Sequence, residues 1–449
     1  MPLMMSVSGV RGVIGESMTP VLAAELGCAF GTYLHGGKVV VGRDTRPSGP
    51  MIQRALVSGL LATGCQVVEL EVASTPAVAL MVRHHGAAGG VVITASHNPV
   101  IWNGIKFLTD EGLAPPPERA NEIFGIYRSK AFKLAAIDGV HLPVRDKTAD
   151  TSHIEAALRI IYPDKIVEKR FKVVLDSING AGGTEGKSLL EKLGCEVVQI
   201  NGEPTGRFAH TPEPTAENLT SLCEAVRKHH AQIGFAQDPD ADRLAIVDEK
   251  GIYIGEEYTL ALCAKYLFKA HPGAIAANLS TSRMVDDLAA SCGKACRVVR
   301  SAVGEANVVA AMKANGGRFG GEGNGGVIDP RVGPVRDSLV GMVLTLQLLA
   351  ISDKTVSGLV ESIPRYVMIK TKFECAAERI HRVLDATKKA YAGEKINDID
   401  GVRVDFADGW VHVRGSNTEP IIRIIGEAKT KERCEAMIAE VRKIAEGVG

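Results

Sequence analysis

Residues 60–70 read L-L-A-T-G-C-Q-V-V-E-L, and residues 189–200 read L-L-E-K-L-G-C-E-V-V-Q-I. Each closes a helical leucine pattern with a glycine and opens at once into a valine-rich run, the way an α/β unit turns from helix to strand. Residues 291–300, S-C-G-K-A-C-R-V-V-R, make the same turn again. Recurrence at about 130 and then about 100 residues predicts three related α/β domains. The competing reading, that any helix-to-strand turn favours glycine ahead of valines, stands beside it.

Working outward, strand-like runs at Lys38–Gly42, Gln66–Val72, Gly90–Thr94, Phe171–Asp176, Cys195–Ile200, Ile233–Gln237, Ala274–Leu279 and Arg297–Arg300 alternate with helix-length segments such as Pro50–Thr63, Gly183–Leu193 and Ser282–Ala290. That rhythm predicts parallel sheets with right-handed crossovers. From about Tyr366 it changes to strand, helix, three strands at Val402–Phe406, Trp410–Arg414 and Ile421–Glu427, then a helix. Adjacent strands on short turns predict a small α+β domain with an antiparallel sheet. The fold class expected is α/β: three related α/β domains with mixed, largely parallel sheets (1–150, 151–250 and 251–365) and a smaller C-terminal α+β domain (366–449).

Composition narrows the function. The 449 residues carry 52 Lys plus Arg against 52 Asp plus Glu, a net charge of zero, which argues against nucleic acid or a membrane surface as partner. The 48 glycines exceed the usual ~7% share and suggest tight turns and close backbone approach to a ligand. Nine scattered cysteines suit free thiols in a reducing compartment, and the Cys292/Cys296 pair lacks partners to complete a zinc site. With no signal-like opening and no long apolar run, the expected location is cytoplasmic.

Four constellations carry chemistry. Thr94-Ala95-Ser96-His97-Asn98-Pro99 follows an apolar strand, and a hydroxyl at the C-terminal end of a parallel strand lies where α/β sheets place ligands. Ser96 is a candidate nucleophile there, and Asn-Pro is expected to leave it exposed on a turn; a plain capped turn is the alternative. Asp238-Pro239-Asp240-Ala241-Asp242-Arg243 places carboxylates at i, i+2 and i+4, on one side if the segment is extended, a spacing that calls for a bound cation of the Mg2+ type. An EF-hand, with Glu249 as twelfth residue, would need glycine where Arg243 stands. Gly320-Gly321-Glu322-Gly323-Asn324-Gly325-Gly326 offers acceptors and a donor to a polyhydroxylated ligand, or is a structural glycine turn. Arg414-Gly415-Ser416-Asn417-Thr418-Glu419-Pro420, with Arg423 beyond, forms a phosphate cradle or an exposed polar hairpin.

In this order and spacing the four motifs resemble the α-D-phosphohexomutase family of phosphoglucomutases, phosphomannomutases and phosphoglucosamine mutases. Ser8-Gly9-Val10-Arg11-Gly12 and Gly42-Arg43-Asp44-Thr45-Arg46 resemble the family's N-terminal arginine turn and first strand-end loop. The resemblance spans essentially the whole chain. It implies four domains around a central cleft and an enzyme that interconverts hexose 6-phosphate and hexose 1-phosphate through a phosphoserine and a 1,6-bisphosphate. It implies that Ser96 carries the phosphoryl group and, with Asp238, Asp240 and Asp242, binds Mg2+, while Arg243 stabilises the transferring oxygens. Glu322 and Asn324 would grip ring hydroxyls, and Arg414, Ser416, Asn417, Thr418 and Arg423 the phosphate that is not reacting. Proton handling falls by resemblance to Arg11, His97 or Lys106, the last at the spacing S-H-N-P-x-x-x-N-G-x-K. The expected activator is glucose or glucosamine 1,6-bisphosphate. One position departs: where several relatives end the sugar loop in histidine, this chain has Gly326. The loop form G-E-G-N-G-G looks nearest to archaeal-style phosphoglucosamine and phosphomannomutase-like members, so glucosamine phosphate is the favoured substrate, with mannose or glucose phosphate as the alternative. A non-catalytic sugar-phosphate-binding protein and a phosphatase are rivals from other classes.

Overall fold

The computed structural model describes residues 3–7, 9–415 and 421–448. The chain forms two compact units, Met1–Tyr266 with Asn324–Val360 and Leu267–Gly323 with Glu361–Gly449.

The first unit holds two sheets. One has seven strands in the order Met4–Ser6, Gly9–Val13, Trp102–Thr109, Gly89–Ile93, Val39–Arg43, Val67–Val72, Val144–Arg145. Its pairings from Gly89–Ile93 to Val144–Arg145 are parallel; those from Gly89–Ile93 toward Met4–Ser6 are antiparallel. The sequence rhythm predicted the parallel half. Trp102–Thr109 reverses because only the short serine loop separates it from Gly89–Ile93, too little chain for the crossover a parallel return requires. Helices Pro20–Tyr33 and Gly49–Ala62 cover one face, with Leu26, Phe30, Ile52, Leu56 and Leu60 in the core beneath. They meet backbone to backbone: a Cβ at Gly59 would lie 2.1 Å from Ala24 O, and one at Gly27 2.3 Å from Leu56 O. Part of the glycine surplus is therefore packing.

The second sheet of this unit runs Leu244–Val247, Ile233–Gln237, Lys172–Asp176, Glu196–Ile200, with only the Leu244–Val247 edge antiparallel. Helix Ser338–Ser352, apolar on every side and almost wholly buried, is capped by Asp337, whose Oδ1 accepts from Leu339 N and Val340 N.

In the second unit Arg297–Ser301, Ala274–Asn278 and Phe319–Glu322 pair in parallel. A five-stranded, wholly antiparallel sheet follows in the order Val367–Glu374, Ile421–Ala428, Gly409–Gly415, Val402–Asp405, Lys395–Asn397, backed by helices Ala377–Ala390 and Lys431–Gly447. This is the α+β region expected from the closely spaced strands.

The three echoed turns are built alike. Gly64, Gly194 and Gly293 all take positive φ, at 82°, 71° and 95°. In each case the following strand, Val67–Val72, Glu196–Ile200 or Arg297–Ser301, adds in parallel to the strand before the helix. A generic glycine cap explains the first fact but not the second. All nine cysteines are free. Among the described residues no helix is long and apolar enough to cross a membrane.

Candidate active site

Ser96 sits just past the C-terminal end of strand Gly89–Ile93, in left-handed backbone with φ 48°. A non-glycine residue there is strained, and the surroundings hold it. Thr94 Oγ1 accepts from Ser96 N at 2.9 Å and donates to Asp44 Oδ2 at 2.7 Å. The fully buried Arg46 guanidinium donates to Asp44 Oδ2 (3.0 Å) and to the carbonyls of Ser96 (2.7 Å), Asn98 (2.7 Å), Pro99 (2.8 Å) and Trp102 (3.1 Å). One arginine thus frames the whole serine loop. The Asn-Pro turn forms, but it does not leave the serine on the surface: Ser96 is 2% exposed because its hydroxyl points into the aspartate loop. There Ser96 Oγ donates to Asp238 Oδ2 at 3.1 Å, with His97 Nδ1 3.4 Å away.

The aspartate segment is likewise not extended. It is a turn between strands Ile233–Gln237 and Leu244–Val247, with Ala241 left-handed at φ 55°. The turn, rather than strand alternation, brings ligand oxygens of Asp238, Asp240 and Asp242 within 4.8 Å of one another, all three side chains buried. Glu249 lies outside this group, its Oε2 accepting from Ser357 N, so the EF-hand reading falls.

Three buried carboxylates at this range cannot all ionise without compensation. Burial, reinforced by the charges of Asp242 and Asp240, drives the Asp238 carboxyl well above the usual range. For Asp240 burial pushes the same way but is outweighed by Lys106, whose Nζ donates at 2.7 Å, and by Thr75 Oγ1 at 2.7 Å, so its value falls. Burial of Asp242 is outweighed by Arg336, whose Nη2 donates to Oδ2 at 2.5 Å. Asp240 Oδ1 and Asp242 Oδ1 are buried with no hydrogen-bond partner among the described residues. Buried carboxylate oxygens of this kind fit a hard divalent cation with oxygen ligands, so the residues present suit Mg2+.

Cations surround the cluster. Arg243 Nε forms an ion pair with Asp242 Oδ1 at 3.8 Å and is buried with no hydrogen-bond partner among the described residues. Arg11 Nη1 donates to Asn98 Oδ1 at 2.9 Å; burial lowers its pKa against the pull of Asp240 and Asp242. Burial, then Arg243 and Arg11, pushes the His97 imidazole down to about 3. Ser96, His97, Arg11, Lys106, Arg243 and the three aspartates therefore gather in the first unit, as does Asn324, whose Oδ1 accepts from Gly326 N at 3.1 Å.

The second unit holds the other expected residues. Glu322 Oε1 accepts from Asn278 Nδ2 at 2.8 Å and from Gly304 N at 3.0 Å, which fixes the carboxylate. Arg414 and Arg423 stand directly opposite each other across the strands Gly409–Gly415 and Ile421–Ala428. Arg414 Nε is buried with no hydrogen-bond partner among the described residues. Ser416, Asn417 and Thr418 lie outside the described residues, as does Ser8. Sequence reasoning missed Thr75 and Arg336 altogether. It quoted Asp44 and Arg46 within a motif without seeing that they clamp the serine loop; the signal was an arginine two residues from an aspartate at a strand end.

The chain is similar to known proteins along nearly its whole length. Models of the phosphoglucomutase/phosphomannomutase family match in order: α/β/α domain I over residues 3–134, domain II over 151–251, domain III over 256–366 and the C-terminal domain over 368–444. A phosphoglucomutase/phosphomannomutase of Thermococcus kodakarensis is 40% identical over 435 residues, 95% of this chain and 94% of that one. A Methanopyrus kandleri protein named "Probable phosphoglucosamine mutase" is 39% identical over 450 residues, 98% of each chain. The crystal structure of a phosphoglucomutase/phosphomannomutase family protein from Burkholderia thailandensis superposes with a TM-score of 0.87 at 27% identity, covering 99% of both chains.

Proposed function

The chain belongs to the phosphoglucomutase/phosphomannomutase family of intramolecular phosphotransferases, which are magnesium-dependent isomerases, and from that premise we propose that it interconverts hexose 6-phosphate and hexose 1-phosphate using Ser96 as the phosphoryl carrier. The observation that carries this reading is the 3.1 Å contact of Ser96 Oγ with Asp238 in a cluster of three buried carboxylates.

Phospho-Ser96 donates: its P–Oγ bond breaks as a sugar hydroxyl oxygen bonds to phosphorus, and the hydroxyl proton passes to Arg11, His97 or Lys106. The sugar then carries two phosphates and turns over. The other phosphoryl group returns to Ser96 Oγ and the proton to the freed sugar oxygen, so no phosphate is lost. Mg2+ held by Ser96, Asp238, Asp240 and Asp242 would supply charge neutralisation and polarise phosphorus. Arg243, adjacent to the aspartates, meets charge on the transferring oxygens. Arg414 and Arg423, with Ser416, Asn417 and Thr418, hold the idle phosphate, and Glu322 and Asn324 the sugar hydroxyls. Domain limits of 1–150, 151–250, 251–365 and 366–449 go with this assignment of roles.

Glucosamine phosphate is the proposed substrate, on the G-E-G-N-G-G loop and the carboxylate of Glu322, which suits a sugar ammonium. Mannose or glucose phosphate is the second reading, favoured by the 40% identity to a relative named for those sugars. The test is kcat/KM for glucosamine 6-phosphate, glucose 1-phosphate and mannose 1-phosphate at one concentration of glucose 1,6-bisphosphate, with free phosphate measured in parallel. Glucosamine trailing either hexose by more than about tenfold, or ~1.4 kcal/mol, reverses the order. Free phosphate in place of isomer indicates a phosphatase, and binding without turnover a sugar-phosphate sensor.

A further inference from the structure

The three aspartates are held in one manner. Asp238 Oδ1 accepts from Arg243 N at 3.1 Å, Asp240 Oδ2 from Lys106 Nζ and Thr75 Oγ1, and Asp242 Oδ2 from Arg336 Nη2. In each, one oxygen is tied back to the chain. The other oxygens of Asp240 and Asp242, Oδ1 in both, have no hydrogen-bond partner among the described residues, while Asp238 Oδ2 accepts from Ser96 Oγ. A carboxylate oxygen that already accepts a charged donor has less lone-pair density to give a cation, so a tied carboxylate favours ligation through its other oxygen. That distinction separates two common ions: Mg2+ takes single carboxylate oxygens in a tight octahedron, whereas Ca2+ takes six to eight oxygens and accepts both from one carboxylate.

Arg336 is the anchor that no motif announced. It precedes Asp337, which caps helix Ser338–Ser352 through Oδ1 and meets the buried His153 Nε2 through Oδ2 at 2.6 Å, while His153 Nδ1 bonds Glu185. This cap fixes the backbone from which Arg336 departs. The arginine stem then crosses Gly326, where a Cβ would lie 2.2 Å from Arg336 Cδ and 2.9 Å from Cγ. Gly326 does not have the positive φ that would require glycine, so the requirement is space.

We propose that Arg336, admitted by Gly326, determines metal specificity: by occupying Asp242 Oδ2 it confines Asp242 to one-oxygen ligation and selects Mg2+ over Ca2+. The proposal rests on the metal-dependent reading above. Replacing Arg336 with methionine keeps the stem and frees Oδ2 for two-oxygen contact. Gly326→Ala displaces the stem without changing charge.

The experiment is equilibrium displacement of Mn2+ by Mg2+ and by Ca2+, followed through the signal of free Mn2+ on the full-length protein, with no turnover involved. Arg336→Met is expected to lower the Mg2+/Ca2+ affinity ratio by about tenfold or more, since the larger ion gains a ligand. Gly326→Ala should shift the ratio the same way, and the double variant should do no more than the single ones, because both act through one contact. Arg336→Lys, which keeps a donor, should recover part of the ratio. Loss of a positive charge by itself raises affinity for both ions alike, so affinities that move together with the ratio unchanged overturn the proposal. A wild type that binds no Mn2+ overturns the metal reading and this proposal with it. A wild type that binds, with variants matching its ratio, overturns this proposal alone.

Discussion

Each unit concentrates like charge at strand ends, and the two clusters are handled in opposite ways. In the first, Asp238, Asp240 and Asp242 are buried, and every one has a donor from its own unit on one oxygen. In the second, Arg414 and Arg423 face each other across a hairpin, where like charges directly opposite destabilise by a few tenths to about 1 kcal/mol. Burial lowers the Arg414 pKa, and Arg423 adds to the effect against Asp400 and Glu322. The carboxylates are built as a permanent fixture, pre-organised down to single oxygens. The two arginines repel each other, and in the proposed function an arriving phosphate would offset that repulsion in each cycle. In the proposed function, chemistry belongs to the first cluster and reversible recognition to the second.

The sharpest way to break the comparison is Ser96→Ala. The phosphoryl carrier is removed, and with it the contact to Asp238 and one metal oxygen, so turnover should fall by several orders of magnitude while calorimetry still records sugar-phosphate binding. Intact-mass measurement of the wild type should show one phosphate, mapped to Ser96; a phosphate found elsewhere removes the assignment.

Next in size is Asp240→Asn. Losing this carboxylate also loosens the tie to Lys106, and the Mg2+ concentration for half-maximal activity should rise at least about tenfold. EDTA should silence the wild type reversibly. Full activity after exhaustive chelation would place the aspartates outside the chemistry.

On the other side of the comparison, Arg414→Ala and Arg423→Ala should each raise KM by roughly ten- to hundredfold, from ~1.5–3 kcal/mol per charge-assisted contact. The rise should be equal for every hexose phosphate, since the hairpin reads phosphate. A sugar-selective loss would give the arginines a different task.

The smallest effect is on stability and lies behind the triad. His153 is fully buried; burial favours the neutral ring, but Asp337 and Glu185 outweigh it and raise its pKa well above the usual value. Nearby, burial and then Glu185 push Asp150 up to about 7. A histidine raised in the folded state stabilises fully below its unfolded value of about 6.5, and that contribution is lost as pH climbs toward the folded value. Thermal melts of wild type and His153→Gln should differ most below about pH 6.5 and converge in alkali. A gap that widens with pH would reverse the sign and put a neutral His153 in the fold.

Much of this protein was determined by the sequence alone. Glycine before valines at residues 60–70, 189–200 and 291–300, strand and helix in alternation, and close-set strands after Tyr366 are local patterns, and local propensity with hydrophobic period is what single elements obey. Ser96 and the aspartates were legible for the same reason, because a loop at a strand end advertises itself. The tertiary structure decided what periodicity cannot reach. It reversed Trp102–Thr109 against its neighbour, bent the aspartates into a turn instead of a strand, and buried Ser96 against a carboxylate 142 residues away. It also recruited Arg46 to clamp the serine loop and Arg336 to tie Asp242 across the space left by Gly326. Those contacts join residues with no shared pattern, and only the packed sheets and their caps bring such residues within hydrogen-bond distance.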